Sequence, residues 1–178
     1  MLNRLVRDDR GVSAVEFAMI APIMVLLYLG LAALTLVMMA ERRAGHAASV
    51  VGDLVAQSTA TSSATLTDIL KIGGSIVAPE SPADLSIRIT SVQADAAGAG
   101  KVAWSAATGT ALPKLPKNDP VTLPTGLIAA NESIIKTDLQ FNYDSFAKQI
   151  LPRTINFKET YYHRPRRTEA ISCADCPP

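Results

Sequence analysis

Two small groups of residues have the types and spacing to do chemistry. The first is in "RGVSAVEF", residues 10–17, which holds Gly11, Val12, Glu16 and Phe17. Glu16 abuts a run of 24 residues, Phe17 to Ala40, that contains no Asp, Glu, Lys, Arg or His. A carboxylate at the border of lipid is expensive unless headgroups solvate it or a cation meets it. The second group is Cys173 and Cys176 in "SCADCPP". A C-x-x-C pair can serve as a disulfide staple, a redox centre or half of a metal site. A redox pair ordinarily opens a helix after a strand, whereas this one is followed by Pro177 and Pro178. Zinc wants about four ligands, and only His46 and His163 are available to join the sulfurs, His46 being close to the apolar run. The balance favours a small stapled loop, with free thiols or a redox role as the alternatives. Nothing marks either histidine as a base, no Ser-His-Asp set is suggested, and Gly73-Gly74 lacks the context of a phosphate loop. The chain reads as no enzyme, with no catalytic residue, cofactor or metal.

The elements that must position these groups follow from patterning. The 178 residues carry a net charge of +1, which gives no general pull toward nucleic acid. As a helix, residues 17–40 would be roughly 36 Å long, against a bilayer core of about 30 Å. The run is too long for the apolar core of an ordinary signal peptide, about 7–15 residues, and no second stretch approaches it. One membrane crossing is expected. Arg4, Arg7 and Arg10 precede the run, and Arg42 and Arg43 follow it. The excess of basic residues on the short N-terminal side places that side in the cytoplasm and residues 41–178 outside. An oxidising exterior agrees with a disulfide at Cys173 and Cys176.

From Val12 the pattern is helical, and membrane helices tolerate Pro22 and Gly30, with a gentle kink expected at Pro22. Past Ala40, an apolar face of Ala47, Val50, Val51, Leu54 and Val55 carries the helix to about Gln57. Residues 58–65, "STATSSAT", read as a linker whose Ser63 or Thr65 caps a second helix, which Pro79 and Pro82 end. The period then changes from helix to strand. Leu85, Ile87 and Ile89 alternate with Ser86, Arg88 and Thr90 as a half-buried strand. Residues 95–100 turn it back into "KVAWS". Residues 107–126, with Pro113, Pro116, Pro120 and Pro124, read as a long irregular loop. "SIIKTDLQFNY" puts Ile135, Leu139, Phe141 and Tyr143 on one face, and "TINFKETYYHR" repeats the pattern less cleanly. "HRPRR", residues 163–167, is either solvated charge at the end of the last strand or a basic contact for a partner. The expected fold class is α+β, with a long transmembrane and amphipathic helix leading to a small antiparallel-sheet domain outside the cytoplasm. The expected division is 1–11, 12–57 and 58–178.

The glycine, four residues, then Glu16 and an aromatic, all ahead of an apolar helix, resemble the processing region of type IV pilin-like proteins. More narrowly they resemble the TadE-like minor pilins, or pseudopilins, of the Tad (tight adherence) Flp-type pilus system. Phe17 stands where the major Flp pilins have tyrosine. "SVVGDLVAQ", the loop near "LPTG", "SIIKTDLQFNY" and the tail "YYHRPRR…ISCADC" fit the same pattern in order, over essentially the whole chain. The major Flp pilins are much shorter, and TadG-type members carry a further large domain for which this chain has no room. The resemblance implies a pilin-like minor subunit, cut after Gly11 by a prepilin peptidase. It implies other pilins, an inner-membrane assembly platform and lipid as partners, Glu16 and Pro22 in helix contacts, and incorporation in a surface pilus. Cleavage would remove three arginines and leave an ammonium on Val12, with an ordinary pKa of about 7.7–8, for Glu16 to meet on its own or a neighbouring helix. Two other readings stand beside it: an unprocessed single-pass scaffold of a pilus or secretion machine, and a periplasmic thiol enzyme.

Overall fold

A computed structural model of the chain describes residues 10–144 and 154–176, the side chain of Arg10 excepted. Arg4, Arg7, Pro177 and Pro178 therefore lie outside the described residues, as does the Arg10 side chain. The architecture is α+β. A helix α1 spans Arg10–Ala56 and contains Pro22. It is followed by β1 (Ala60–Thr61), α2 (Ser63–Ile76), β2 (Leu85–Ala94), β3 (Gly100–Thr108), β4 (Ser133–Tyr143), β5 (Ile155–His163) and β6 (Ser172–Cys173). The chain divides into two compact units, Met1–Met38 and Met39–Pro178, so the boundary falls within α1.

In the first unit α1 presents apolar side chains outward along its length, from Val12 through Met38. No charged residue interrupts it after Glu16. Among the described residues this is the one helix long and apolar enough to cross a membrane.

The second unit is built on a four-stranded antiparallel sheet in the order β3-β2-β4-β5. The β2–β3 turn is closed by Asp95, whose carboxylate accepts from the Ala97 and Ala99 amides at 2.9 Å, with Gly98 in the left-handed region. On one sheet face Leu85, Ile87 and Ile89 of β2 pair across to Phe141, Leu139 and Thr137 of β4. Phe141 in turn lies opposite Phe157 of β5, the rings stacked at 6.3 Å. The Met39–Ala56 segment of α1 and helix α2 cover this face. A Cβ at Gly45 would meet the Tyr161 hydroxyl, one at Gly52 would meet His163 and Thr137, and one at Gly73 would meet Ile87 and Val51. The buried stripe of α1 is therefore Ala44, Gly45, Ala47, Ala48, Val51, Gly52 and Val55. The expected apolar face is displaced: Val50 and Leu54 are only half-buried, and small residues occupy the centre. Small side chains let helix and sheet approach closely, which a hydrophobicity pattern does not register.

Three further expectations are corrected. β2 is not half-buried, because Ser86 and Thr90 on its other face are also buried. The irregular segment 109–132 covers that face: Arg88 Nη1 donates to the Pro113 carbonyl at 3.1 Å, and the Ala111 amide donates to Ser86 Oγ at 3.1 Å. The cap of α2 is Ser62, neither Ser63 nor Thr65, its hydroxyl accepting from the Thr65 amide. Within the expected linker, Ala60 and Thr61 form β1 and pair in parallel with Ser172 and Cys173 of β6. Two-residue strands carry no readable alternation, so only the tertiary pairing reveals them.

Candidate functional site

Gly11, Val12, Glu16 and Phe17 all lie in the first two turns of α1. Val12, Glu16 and Phe17 are exposed, Phe17 to 73 %. Val12 and Glu16 are separated by four residues, about one helical turn, so they share a face. Helix α1 begins at Arg10, so the Gly11–Val12 peptide bond is within its first turn. Pro22 lies further along, with helix on both sides of it. Apart from Ser13 and Glu16, the outward side chains from Val12 to Pro22 are apolar, and a carboxylate at the head of such a stretch meets either headgroups or a partner.

The C-terminal cysteines occupy a different setting. Cys173 and Cys176 form a disulfide, and among the described residues there is no free cysteine. The loop between them carries Asp175 to the N-terminus of α2. Its carboxylate accepts from the Ser63 amide at 3.0 and 3.2 Å and from the Ser63 hydroxyl at 2.9 Å. These bonds hold the carboxyl below its ordinary pKa. An anionic side chain at this place satisfies the orphan amides of a helix start. Cys173, Asp175 and Cys176 bring potential metal-ligating atoms within 4.8 Å of one another. Both sulfurs are engaged with each other, however, and thiolates are what a metal requires. Nearby, Trp104 Nε1 donates to the Ile171 carbonyl at 2.7 Å. The tail is thus fastened to the sheet and to α2 at once.

Sequence reasoning missed a third cluster. Thr137 Oγ1 and His163 Nδ1 are buried without a hydrogen-bond partner, and each would lie 2.6 Å from a Cβ on Gly52. Burial pushes the His163 pKa down; Asp53 opposes that shift and Arg166 adds to it. Arg166 itself bonds Asp53, and its amide donates to the Ala56 carbonyl at 2.9 Å, closing the C-terminus of α1. Arg164 bonds the Leu127 carbonyl and faces Glu132 at 3.4 Å. Two arginines of "HRPRR" therefore have partners within the chain. A charge on the opposite sheet face is likewise spoken for: Asp138 accepts from Arg88 and Thr160 and pairs with Lys136 at 2.9 Å. Burial raises the Asp138 pKa, but those three partners outweigh it and hold the carboxyl low. Spacing gave no sign of these pairings, since each joins residues distant in sequence.

The fold and its exposed apolar helix define a class: a single-pass inner-membrane protein with an N-terminal apolar helix and an α+β unit of periplasmic type. Residues 11–52 match the family model described as TadE-like protein, so over its N-terminal helical region the chain is TadE-like. That match covers Gly11, Val12, Glu16 and Phe17 and the buried α1 stripe as far as Gly52. No curated protein and no solved structure matches the chain.

Proposed function

We propose that this TadE-like, pilin-type protein is a minor pilin or pseudopilin of a Tad/Flp-type pilus, matured by a prepilin peptidase that hydrolyses the Gly11–Val12 bond. The observation that carries the reading is the coincidence of the family match, which starts at Gly11, with an exposed carboxylate one turn past Val12 at the head of an exposed apolar helix. Water would add across the bond, leaving a carboxylate on Gly11 and an ammonium on Val12. A peptidase needs its scissile bond unwound from the helix. Gly11 makes that easier, since glycine weakens a helix by about 1 kcal/mol relative to alanine. The new ammonium and Glu16 are of opposite charge, and in an apolar bundle their pairing fixes register more than it adds stability. The divisions 1–11 as leader, 12–57 as anchor and 58–178 as the periplasmic domain belong to the same proposal. Other pilins, the assembly platform in the inner membrane and lipid are the partners it implies.

N-terminal sequencing of the protein from membranes and from sheared filaments tests this. A start at Val12 that Gly11→Leu abolishes is the expected result. Fibres that contain the chain with residues 1–11 still attached would defeat it, whereas a chain that stays in the membrane with its N-terminus intact and never enters fibres would favour an unprocessed scaffold. Glu16→Gln should be cut normally yet assemble at least tenfold less well.

A further inference from the structure

A cavity of about 650 Å³ opens where the last residues of β2, the first half of β3, the turn at Lys117 and Asn118, Asn131 and the tail from Ala170 to Cys173 meet. That size is within the range of small-molecule sites, about 300–1,000 Å³. Ser91 lies in its wall. The residue is 1 % exposed, yet among the described residues its hydroxyl has no hydrogen-bond partner. A buried hydroxyl is ordinarily bonded, and leaving it without a partner is costly. The side-chain amides of Gln93, Asn118 and Asn131 and the Lys117 ammonium also line the cavity without partners among the described residues. Asn118 and Asn131 hold left-handed backbone, φ 68° and 64°, which favours asparagine whatever its side chain does. The weight therefore falls on Ser91, Gln93 and Lys117.

The walls are held from several sides. Trp104, itself buried, is fixed by the bond from its Nε1 to the Ile171 carbonyl. The β2–β3 turn is tied at Asp95, whose backbone carbonyl accepts from the Asn131 amide at 3.4 Å and whose carboxylate faces Lys101 at 3.3 Å. What the lining can hold follows from its chemistry. An apolar ligand would leave the hydroxyl, the amides and the ammonium unsatisfied. A divalent cation would meet two ammonium groups and a single carboxylate, one that Lys101 and the Ala97 and Ala99 amides already engage. An extended peptide needs a free sheet edge, and the β3 edge is taken here. The Val102 amide donates to the Asp119 carbonyl at 3.0 Å, and the Asn118 amide donates to the Val102 carbonyl at 2.8 Å. A bare phosphate would use the donors and leave the amide carbonyls without a use.

We propose that this cavity binds a short acidic saccharide. Sugar hydroxyls donate and accept at once, which suits a lining of amides and a hydroxyl. The C–H faces of sugar rings are apolar, and Val102, Ala103, Trp104 and Ile171 supply apolar wall. Of the two ammonium groups, Lys101 is paired with Asp95 and Lys117 is not, so one positive charge is left to meet one carboxylate. Ser91 gains the partner that the chain itself does not provide. The assignment goes beyond the pilin reading and stands whether or not the Gly11–Val12 bond is cut. An acidic saccharide has two sources near a periplasmic unit, the glycan of the cell wall and polysaccharide outside the cell, and the chemistry is common to both.

Titration calorimetry of the detergent-extracted full chain tests this, with the emission of Trp104, the chain's one tryptophan, read in parallel. The probes are the N-acetylglucosaminyl-N-acetylmuramic acid disaccharide for the wall, trigalacturonic acid for an exterior uronic-acid polymer, and chitotriose as the uncharged comparison. Each is taken to about 10 mM, which reaches weak sites. At least one acidic probe should bind and shift the emission, with chitotriose about tenfold weaker, the worth of one charge-assisted hydrogen bond. The acidic probe that binds names the source, and binding of both assigns the shared chemistry. Lys117→Gln should remove the acidic preference and leave chitotriose unchanged, and Ser91→Ala should weaken every probe several-fold. Lys71→Gln, on α2 and outside the cavity, should change nothing. Absence of binding by both acidic probes overturns the proposal. So does an acidic preference that survives Lys117→Gln, or displacement of the acidic probe by an equal concentration of inorganic phosphate. Lys117 is exposed, so its variant decides the matter should Ser91→Ala fail to fold.

Discussion

Gly30 and Gly52 are both helical glycines of α1, yet a Cβ added at Gly30 meets nothing within 4 Å, while one added at Gly52 lies 2.6 Å from His163 Nδ1 and from Thr137 Oγ1. The contrast separates the two halves of one helix. From Val12 to Met38 the large side chains are apolar and mostly exposed, so what satisfies them is outside this chain. From Met39 to Ala56 the buried positions are alanine, glycine and valine, and the chain's own sheet satisfies them. The same backbone geometry serves a membrane and a globular core, and side-chain size decides which.

The largest effect should come from the sheet unit's core. Phe141 is fully buried and stacks on Phe157. Phe141→Ala should destabilise the unit by about 3–5 kcal/mol, since a large cavity forms between paired strands. Leu26→Ala, in the exposed half of α1, should leave that unit's unfolding midpoint unchanged. Denaturant melts of detergent-extracted protein, followed by the near-ultraviolet signal of Trp104, report the unit specifically. If Leu26→Ala shifted that midpoint as far as Phe141→Ala, the two halves would not be separable.

A smaller effect sharpens the comparison at the glycines themselves. Gly52→Ala forces a methyl against a ring and a β-branched side chain, neither of which is the free end of a flexible chain. It should cost about 2–3 kcal/mol, as overpacked sites do. Gly30→Ala should cost nothing and raise helix propensity slightly. Limited proteolysis at a fixed temperature distinguishes the pair. Equal resistance of both variants would mean that the sheet does not clasp α1 at Gly52.

Much of this was legible in the sequence, and the reasons are physical. The apolar run announces itself because a membrane demands about 20 unbroken residues. β4 is legible because Ile135, Leu139, Phe141 and Tyr143 keep period two. The α1 stripe was read off-centre because Gly45, Ala48 and Gly52 matter for being small, and hydrophobicity scales are blind to that. Asp53 with Arg166, and Asp175 with Ser63, are separated by 113 and 112 residues, so no local pattern joins them. Gly11 and Glu16 stand out by type and spacing, but the role proposed for them depends on a partner that no pattern within the chain contains.

The smallest predicted effect uses protons to probe the same seam between helix and sheet. His163 Nδ1 is buried opposite Gly52, with Asp53 of α1 and Arg166 beyond β5 as the charged groups around the ring. Burial lowers its pKa in the folded chain below the ordinary 6.5. The sign follows from linkage: between those two values the unfolded chain binds a proton that the folded chain refuses. Stability is therefore full above pH about 6.5 and falls as the pH drops from there through the folded pKa. Asp138, whose carboxyl is held low by Arg88, Lys136 and Thr160, follows the same direction but only below pH about 3.9, its unfolded value. The interval from pH 7 to 5 thus isolates the histidine from this carboxylate. Melts across it should lose stability in the parent chain and lose less in His163→Phe, which keeps an aromatic ring against the helix. An identical slope in both would mean that the proton is taken up elsewhere, and that the polar seam at Gly52 is indifferent to charge.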